Sequence, residues 1–303
     1  MIATTDYELL TADAGLFERT GRAVLELEGA EAAEFLQGQV TNDVEALEPG
    51  EGCYAALLDH KGKLRTDMRV LRLAPDRLLV DAESVARAVL VHNFETYSLG
   101  RAVRTRDLTD ERTVLSMIGP RSRERLDTPP PEREHAFVEG EHGLYVTTDL
   151  GVDAIVRTEE AGATRQIAPA VSEEAVECVR IESGRPRLGH DMGSSTIPQE
   201  AGLNERAVSF TKGCYVGQET VARLYYRGKP NRHLRGLRLS EPAAHGDPIA
   251  LGEKEVGSVG SACVSPTLGP IALAVVRREA APGDEVAVGG APASLVELPF
   301  AKP

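Results

Sequence analysis

No stretch of the 303 residues approaches the roughly 18 consecutive apolar residues that a membrane-crossing helix needs. The first residues, Met1 to Tyr7, lack a basic region followed by an apolar core, so no secretory leader is read there and a cytoplasmic protein is expected. Cysteine is scarce. Cys53, Cys178, Cys214 and Cys263 show no CxxC spacing and no neighbouring histidine cluster, which excludes a recognisable zinc site or disulfide framework and leaves reduced thiols. Lysine is scarcer than arginine, at positions 61, 63, 212, 229, 254 and 302 only; this bias is read as compositional and given no functional weight. Internal repeats and low-complexity tracts are absent. Positive charge is outweighed, with a net charge of -13, and a surface of that sign repels polyphosphate backbones. Broad nucleic-acid binding is therefore not expected, although a local basic patch remains compatible with the sequence.

What is present is the composition of a folded globular chain, 42% hydrophobic and 27% charged, long enough for two or three cores. The first hundred residues mix strands and helices. Ala23–Leu27 alternates, 31–37 has the pattern of a short helix, 64–73 is strand-like, and Ser84 is placed to cap a helix with Ala86, Leu90, Phe94 and Tyr97 on one face and Gly100 as its stop. From residue 113 a strand, a Gly119-Pro120 turn, a short helix, a proline-rich loop and two further strands (144–148, 152–156) follow one another, the order of a split βαββα, ferredoxin-like lobe. Ser172 is placed to cap a helix running to about Glu182. Beyond Pro230 five short apolar runs (234–239, 257–264, 271–276, 285–288 and 293–298), separated by Gly and Pro turns, predict a small β-barrel or sandwich.

The densest chemical signal is Lys212-Gly213-Cys214-Tyr215-Val216-Gly217-Gln218-Glu219, followed by Arg223 and Arg227-Gly228. It carries no apolar periodicity, and read alone it is equally a glycine-rich turn entering a helix at Gln218, with Cys214 as a small filler. The string Lys-Gly-Cys-Tyr-x-Gly-Gln-Glu resembles the signature of the YgfZ family, folate-binding relatives of the glycine cleavage T-protein that include iron–sulfur assembly proteins. The segments 36–44, 58–63, 181–186, 197–203 and 257–276 resemble further landmarks of that family. The resemblance implies an α+β fold: a folate-binding body of two interleaved, ferredoxin-like α+β lobes over residues 1–232, the second lobe at about 112–168, and a C-terminal Greek-key β-barrel over 233–303.

It also implies a site for tetrahydrofolate, or its formyl or methylene derivative, walled by the Lys212–Glu219 segment. Glu182 stands where the T-protein relatives place a pterin-binding carboxylate, Tyr54 where they place a pocket tyrosine, and Asp67 where they place a catalytic aspartate. On a strand, Arg65 and Arg69 share the face of Asp67, and their charges predict a carboxylate held ionised. Lys212, Tyr215, Gln218, Glu219 and Arg223 join Tyr54, Asp67 and Glu182 as expected folate contacts. Asp67 and Cys214 are the expected reactive groups, Lys212 and the following helix favouring thiolate at Cys214. No metal site is expected. The run Arg223, Arg227, Lys229 and Arg232 is open between the folate tail, a partner's phosphates and plain solvation. The function implied is folate-dependent support of iron–sulfur enzymes and tRNA modification, with iron–sulfur client enzymes as partners. Its alternatives are an aminomethyltransferase that draws on a lipoyl carrier, against which Leu71 stands where T-proteins tend to carry a tyrosine, and a folate-free interaction scaffold.

Overall fold

The computed structural model describes residues 4–300. Helix α1 (Thr4–Ala12) and strand β1 (Gly15–Arg19) lead into β2 (Ala23–Glu28), α2 (Ala32–Gln39), β3 (Gly52–Leu58), β4 (Leu64–Ala74), β5 (Arg77–Ala82), α3 (Arg87–Tyr97) and β6 (Arg104–Asp107). Strands β7 (Arg112–Ile118), β8 (Phe137–Gly140), β9 (Gly143–Thr148) and β10 (Gly151–Arg157) follow. Next come helices α4 (Ala161–Thr164), α5 (Glu173–Glu182), α6 (Asn204–Ala207) and α7 (Gln218–Arg227). The chain closes with β11 (Arg232–Leu239), β12 (Pro248–Leu251), β13 (Lys254–Ser265), β14 (Gly269–Arg277), β15 (Glu285–Val288) and β16 (Ala291–Val296).

These strands form two five-stranded antiparallel sheets, in the orders β3-β4-β5-β2-β6 and β1-β7-β10-β9-β8, and one closed barrel, β11-β14-β13-β12-β15-β16. The lobes interleave because the short connection between β1 and β2 carries the chain from the second sheet into the first. The barrel leaves no free edge, since β11 pairs with both β14 and β16. The α+β architecture expected from the sequence is the one observed. Six strands, β1, β3, β5, β6, β8 and β12, were not named in the sequence reading. β8 and β12 are four residues each, and β12 starts on a proline and has a register shift at Ile249/Ala250, so neither offers a usable alternation.

Strand alternation explains the layering. In β4, Met68 and Val70 point to the core under α2 and α3, where Phe35 and Phe94 meet edge to face at 6.2 Å. Leu71 points the opposite way and packs with Val24, Leu79, Val114 and Ile155 between the two sheets. Leu71 is thus a fully buried core residue. Asp67 and Arg69 lie on this same inter-sheet face, two polar side chains at the end of an apolar seam.

Helix ends differ from expectation. Ser84 caps nothing: it opens a single 3-10 turn before α3, whose N-cap residue is Ala86, and Tyr97 is exposed rather than on the buried face. Ser172 does occupy the N-cap of α5 in an extended conformation, but its hydroxyl makes no capping bond. α5 is held instead from its buried side. Arg180 pairs with Glu177 at 2.8 Å and Asp191 at 3.0 Å and donates to Ser261 Oγ at 2.7 Å, which ties the helix to barrel strand β13.

Candidate functional site

Where the seam between the sheets opens, β3, β4, β10, the β1–β2 turn, the turn between β9 and β10 and the segment after α5 enclose a cleft. Tyr54, Asp67, Arg69, Glu134, His135, Asp149 and Asp153 line it, together with Arg19, Arg22, Glu83, Arg180, Arg185, Arg187 and Arg206. Pairing register brings the central residues together: Tyr54 lies opposite Arg69 and Ala56 opposite Asp67 across β3 and β4, while Arg69 lies opposite Asp81 across β4 and β5. Directly opposed residues share a face, so Tyr54, Arg69 and Asp81 project together.

The Arg69 guanidinium joins the two sheets. It pairs with Asp81 at 2.6 Å on its own sheet and with Asp153 at 2.9 Å on the other. Burial would raise the Asp81 carboxyl, but Arg69 and Arg22 beside it outweigh that and hold its pKa at about 2. Asp153 also accepts a hydrogen bond from Ser116 Oγ at 2.5 Å, and Ser116 in turn accepts one from Arg19 Nε at 2.8 Å.

Asp67 behaves differently from the expectation of a carboxylate held ionised by Arg65 and Arg69. Arg69 is spent on Asp81 and Asp153, and neither arginine pairs with Asp67 among the described residues. Burial pushes the Asp67 carboxyl above its ordinary value, opposed by the hydrogen bond it accepts from the Tyr54 hydroxyl. Burial, and then the neighbouring Asp67 charge, push the Tyr54 phenol well above its own ordinary value. The pair is a carboxyl whose proton affinity has been moved toward neutrality, next to a phenol that stays protonated. Such a carboxyl can take a proton from, or stabilise positive charge on, a group placed against it.

Four buried polar atoms of these lining residues have no partner among the described residues: Asp67 Oδ1, Arg69 Nη2, His135 Nδ1 and Arg206 Nε. Buried polar atoms are nearly always hydrogen-bonded, so orphans gathered in one cleft call for an explanation, and a bound polar ligand supplies one. His135 is kept neutral, with burial, then the nearby Arg69 charge, holding its pKa at about 4. It is also the one non-glycine residue with positive φ among the described residues, at 68°. Arg206 pairs with Glu134 and lies over the Tyr54 ring at 5.4 Å. Arg19 has no carboxylate within ion-pair distance among the described residues, and burial lowers its pKa. It is a cation available to an incoming anion.

Of the residues singled out in the sequence, the structure brings Tyr54 and Asp67 into the cleft. Glu182 lies elsewhere, at the interface of α1, α5 and the barrel. Its carboxylate is taken up by Tyr7, at 2.9 and 3.0 Å to its two oxygens, and by Ser265 Oγ at 2.5 Å. The Lys212–Glu219 segment is not a wall of the cleft either. The Lys212 ammonium turns inward and donates to the carbonyls of Gln37 at 2.5 Å, Val40 at 2.7 Å and Asn42 at 2.9 Å, which uses all three of its protons at the C-terminal end of α2. Burial lowers its pKa to about 8. With the ammonium aimed at α2, it is not the activator of Cys214 that the sequence suggested.

Tyr215 is a core residue under that ammonium, 5.2 Å from Lys212 Nζ, with burial raising its phenol to about 12. Cys214, Glu219 and Arg223 are exposed, and Gln218 opens α7. The turn before it needs glycine: Gly217 has φ of 85°, and a Cβ there would stand 2.5 Å from the Asp59 carbonyl. Sequence reasoning named Arg69 but missed the other cleft arginines. Seven arginines in all converge on the cleft, and the available signal was the crowding of Arg180, Arg185 and Arg187 around the 181–186 landmark. Asp153, a carboxylate reaching the cleft from the opposite sheet, was missed because its strand reads as plain β.

The family models that match are the GCVT N-terminal domain, over residues 2–135, and the glycine cleavage T-protein C-terminal barrel domain, over residues 232–302. A protein named tRNA-modifying protein YgfZ, from Sodalis glossinidius, is 30% identical over an alignment covering 80% of this chain and 78% of that one. The chain belongs to the glycine cleavage T-protein and YgfZ family. Both branches of that family are represented among its relatives: an aminomethyltransferase of Synechococcus sp. is 28% identical, covering 97% of this chain and 89% of the relative. A solved structure of glycine cleavage system aminomethyltransferase T from Bartonella henselae shares the fold, with a TM-score of 0.86 at 22% identity over 98% of this chain and 89% of that one. Among the described residues there is no cluster of three His, Cys, Asp or Glu side chains fit to hold a metal, and no helix is long and apolar enough to cross a membrane.

Proposed function

We propose that the cleft binds a reduced folate, tetrahydrofolate or its formyl or methylene derivative, and that the chain is a YgfZ-like accessory protein serving iron–sulfur enzyme maturation or repair and tRNA modification. The observation that carries the folate reading is the set of four orphaned polar atoms on Asp67, Arg69, His135 and Arg206. They offer an acceptor, guanidinium donors and a ring nitrogen around one space, which is the complement of the amino-pyrimidinone edge of a pterin. The cavity volume is about 180 Å³, below the roughly 300–1,000 Å³ of sites that enclose a whole drug-sized ligand. It therefore suits the flat end of a longer molecule whose remainder lies in the open mouth. Arg19, without a carboxylate of its own, suits the anionic portion.

The accessory role rests on the resemblance of Lys212–Glu219 to the YgfZ signature and on the relatives of that name. One observation favours the second reading, an aminomethyltransferase yielding methylene-tetrahydrofolate and ammonia from a lipoyl carrier: Asp67 is buried, bonded to Tyr54 and raised in proton affinity, as a group that manages charge at the one-carbon unit requires. Two assays separate the readings. Calorimetric titration with tetrahydrofolate and with its formyl derivative should show binding by the purified chain, and failure of both overturns the folate reading. Ammonia release from an aminomethyl-loaded lipoyl carrier should be absent for the accessory protein, and catalytic release that disappears in Asp67→Asn establishes the transferase instead.

A further inference from the structure

On the outer face of α7, away from the cleft, the fold presents an aromatic cluster to solvent. Phe210 and Tyr225 stack with centroids 3.7 Å apart at 14°, and Tyr226 stands edge-on to Tyr225 at 5.0 Å and 81°. Tyr225 is 51% and Tyr226 66% exposed. Large aromatics are ordinarily drawn into cores, and α7 buries only Val221. On the same helix and just past its end are Arg223, Arg227 and Lys229, all exposed and, among the described residues, without a carboxylate partner. That is unusual in this chain, where most other arginines are ion-paired: Arg232, which the sequence grouped with them, is bound to Glu200 at 2.8 Å. Arg223 and Arg227 are four residues apart and Tyr226 three after Arg223, so the three share one face of the helix.

The turn bearing Lys61, also exposed and without an ion-pair partner among the described residues, adjoins the start of α7, since a Cβ on Gly62 would meet Thr220 at 2.8 Å. Glu219 is the exposed acid of this face. The patch is thus basic and aromatic on a molecule of net charge -13.

We propose that this face docks single-stranded RNA, with unpaired bases stacking on Tyr225 and Tyr226 and phosphates meeting Arg223, Arg227 and Lys229. Each feature of the patch fits that ligand, and a duplex fits it less well. Exposed rings offer π-faces that bases accept in any sequence, and unpaired cations track a backbone. A duplex hides its bases and would leave the tyrosines without a role. The acidic remainder of the surface repels RNA, so contact is confined to this one face and to a short segment.

The test is fluorescence anisotropy with a labelled 12-nucleotide single strand of mixed sequence and, in parallel, the matching RNA duplex, from 50 to 200 mM salt. The full-length chain should bind the single strand in preference to the duplex, with a log–log salt slope near about -2 if three cations are engaged at about 0.7 each. Tyr226→Leu should weaken binding about 5- to 150-fold, the range for one stacked base, and leave the slope unchanged, whereas Tyr226→Phe should retain affinity. Arg223→Gln with Arg227→Gln should lower the slope by about 1.4. All three positions are exposed, and unchanged thermal unfolding confirms that each variant is folded. Equal affinity for duplex and single strand, equal affinity of Tyr226→Leu and wild type, or self-association through this face that Tyr226→Leu abolishes would each overturn the proposal.

Discussion

Replacing Lys212 by methionine asks whether the most distinctive lysine of the chain is a ligand contact or a strap. Its ammonium gives one hydrogen bond each to the carbonyls of Gln37, Val40 and Asn42, and the side chain is 9% exposed. Methionine keeps most of the stem's packing over Tyr215 but leaves three carbonyls at the end of α2 without a donor. A buried acceptor so abandoned costs about 1–3 kcal/mol. Part of that is offset, because burial already disfavours the charged lysine and holds its pKa at about 8. The net loss should be about 2–4 kcal/mol, a large share of the roughly 5–15 kcal/mol typical of a folded domain. Urea unfolding at pH 7, followed by far-UV circular dichroism, reads it as a lower midpoint with an unchanged slope. Tetrahydrofolate affinity, measured at a temperature where the variant is folded, should stay within twofold of wild type. A stability loss below about 1 kcal/mol, or a folded variant that no longer binds folate, would refute the reasoning.

Two further perturbations follow from buried charge. Because the fold lowers the His135 pKa from 6.5 to about 4, the unfolded chain takes up the proton first as pH falls. The associated stability is whole above pH 6.5 and is lost between 6.5 and 4, by about 3 kcal/mol in all. Denaturant titrations at pH 7 and 4.5 should show that loss in wild type and a smaller one in His135→Gln, and equal losses would contradict it. Arg180→Met should lower stability by about 3–5 kcal/mol, because it strands the Asp191 carboxylate, whose side chain is 0% exposed. Adding Asp191→Asn should restore much of the difference in urea midpoint, and an additive double variant would show that the pair is not coupled.

Much of the architecture was legible because it rests on long apolar segments. β2, β4, β7 and β10 bury residues of both faces, one against each of two neighbouring cores, and apolar β-rich runs of that length leave a mark in the sequence. β8 and β12 left none, being too short to show a period. Tyr54 and Asp67 entered the candidate site through the family resemblance, and the strand pattern added only which residues share the face of Asp67. The Asp67 electrostatics were misread because one strand shows which residues share a face but not which carboxylates a second sheet brings to Arg69: Asp153 arrives from β10, eighty-four positions downstream of Arg69. Lys212 and Glu182 illustrate the same limit. Both stand in recognisable motifs, yet the fold spends the first on the end of α2 and the second on Tyr7 and Ser265.

The central claim is that folate lies against Asp67 in the inter-sheet cleft, and calorimetric titration of tetrahydrofolate into wild type, Asp67→Asn and Glu182→Gln tests it most directly. Asp67 Oδ1 is buried without a partner, whereas both oxygens of Glu182 are already engaged. Wild type and Glu182→Gln should therefore bind alike, and Asp67→Asn should bind about 10-fold or more weakly, the loss of one charge-assisted hydrogen bond. Full affinity in Asp67→Asn together with its loss in Glu182→Gln would contradict the account and move the site to the interface of α5 with the barrel.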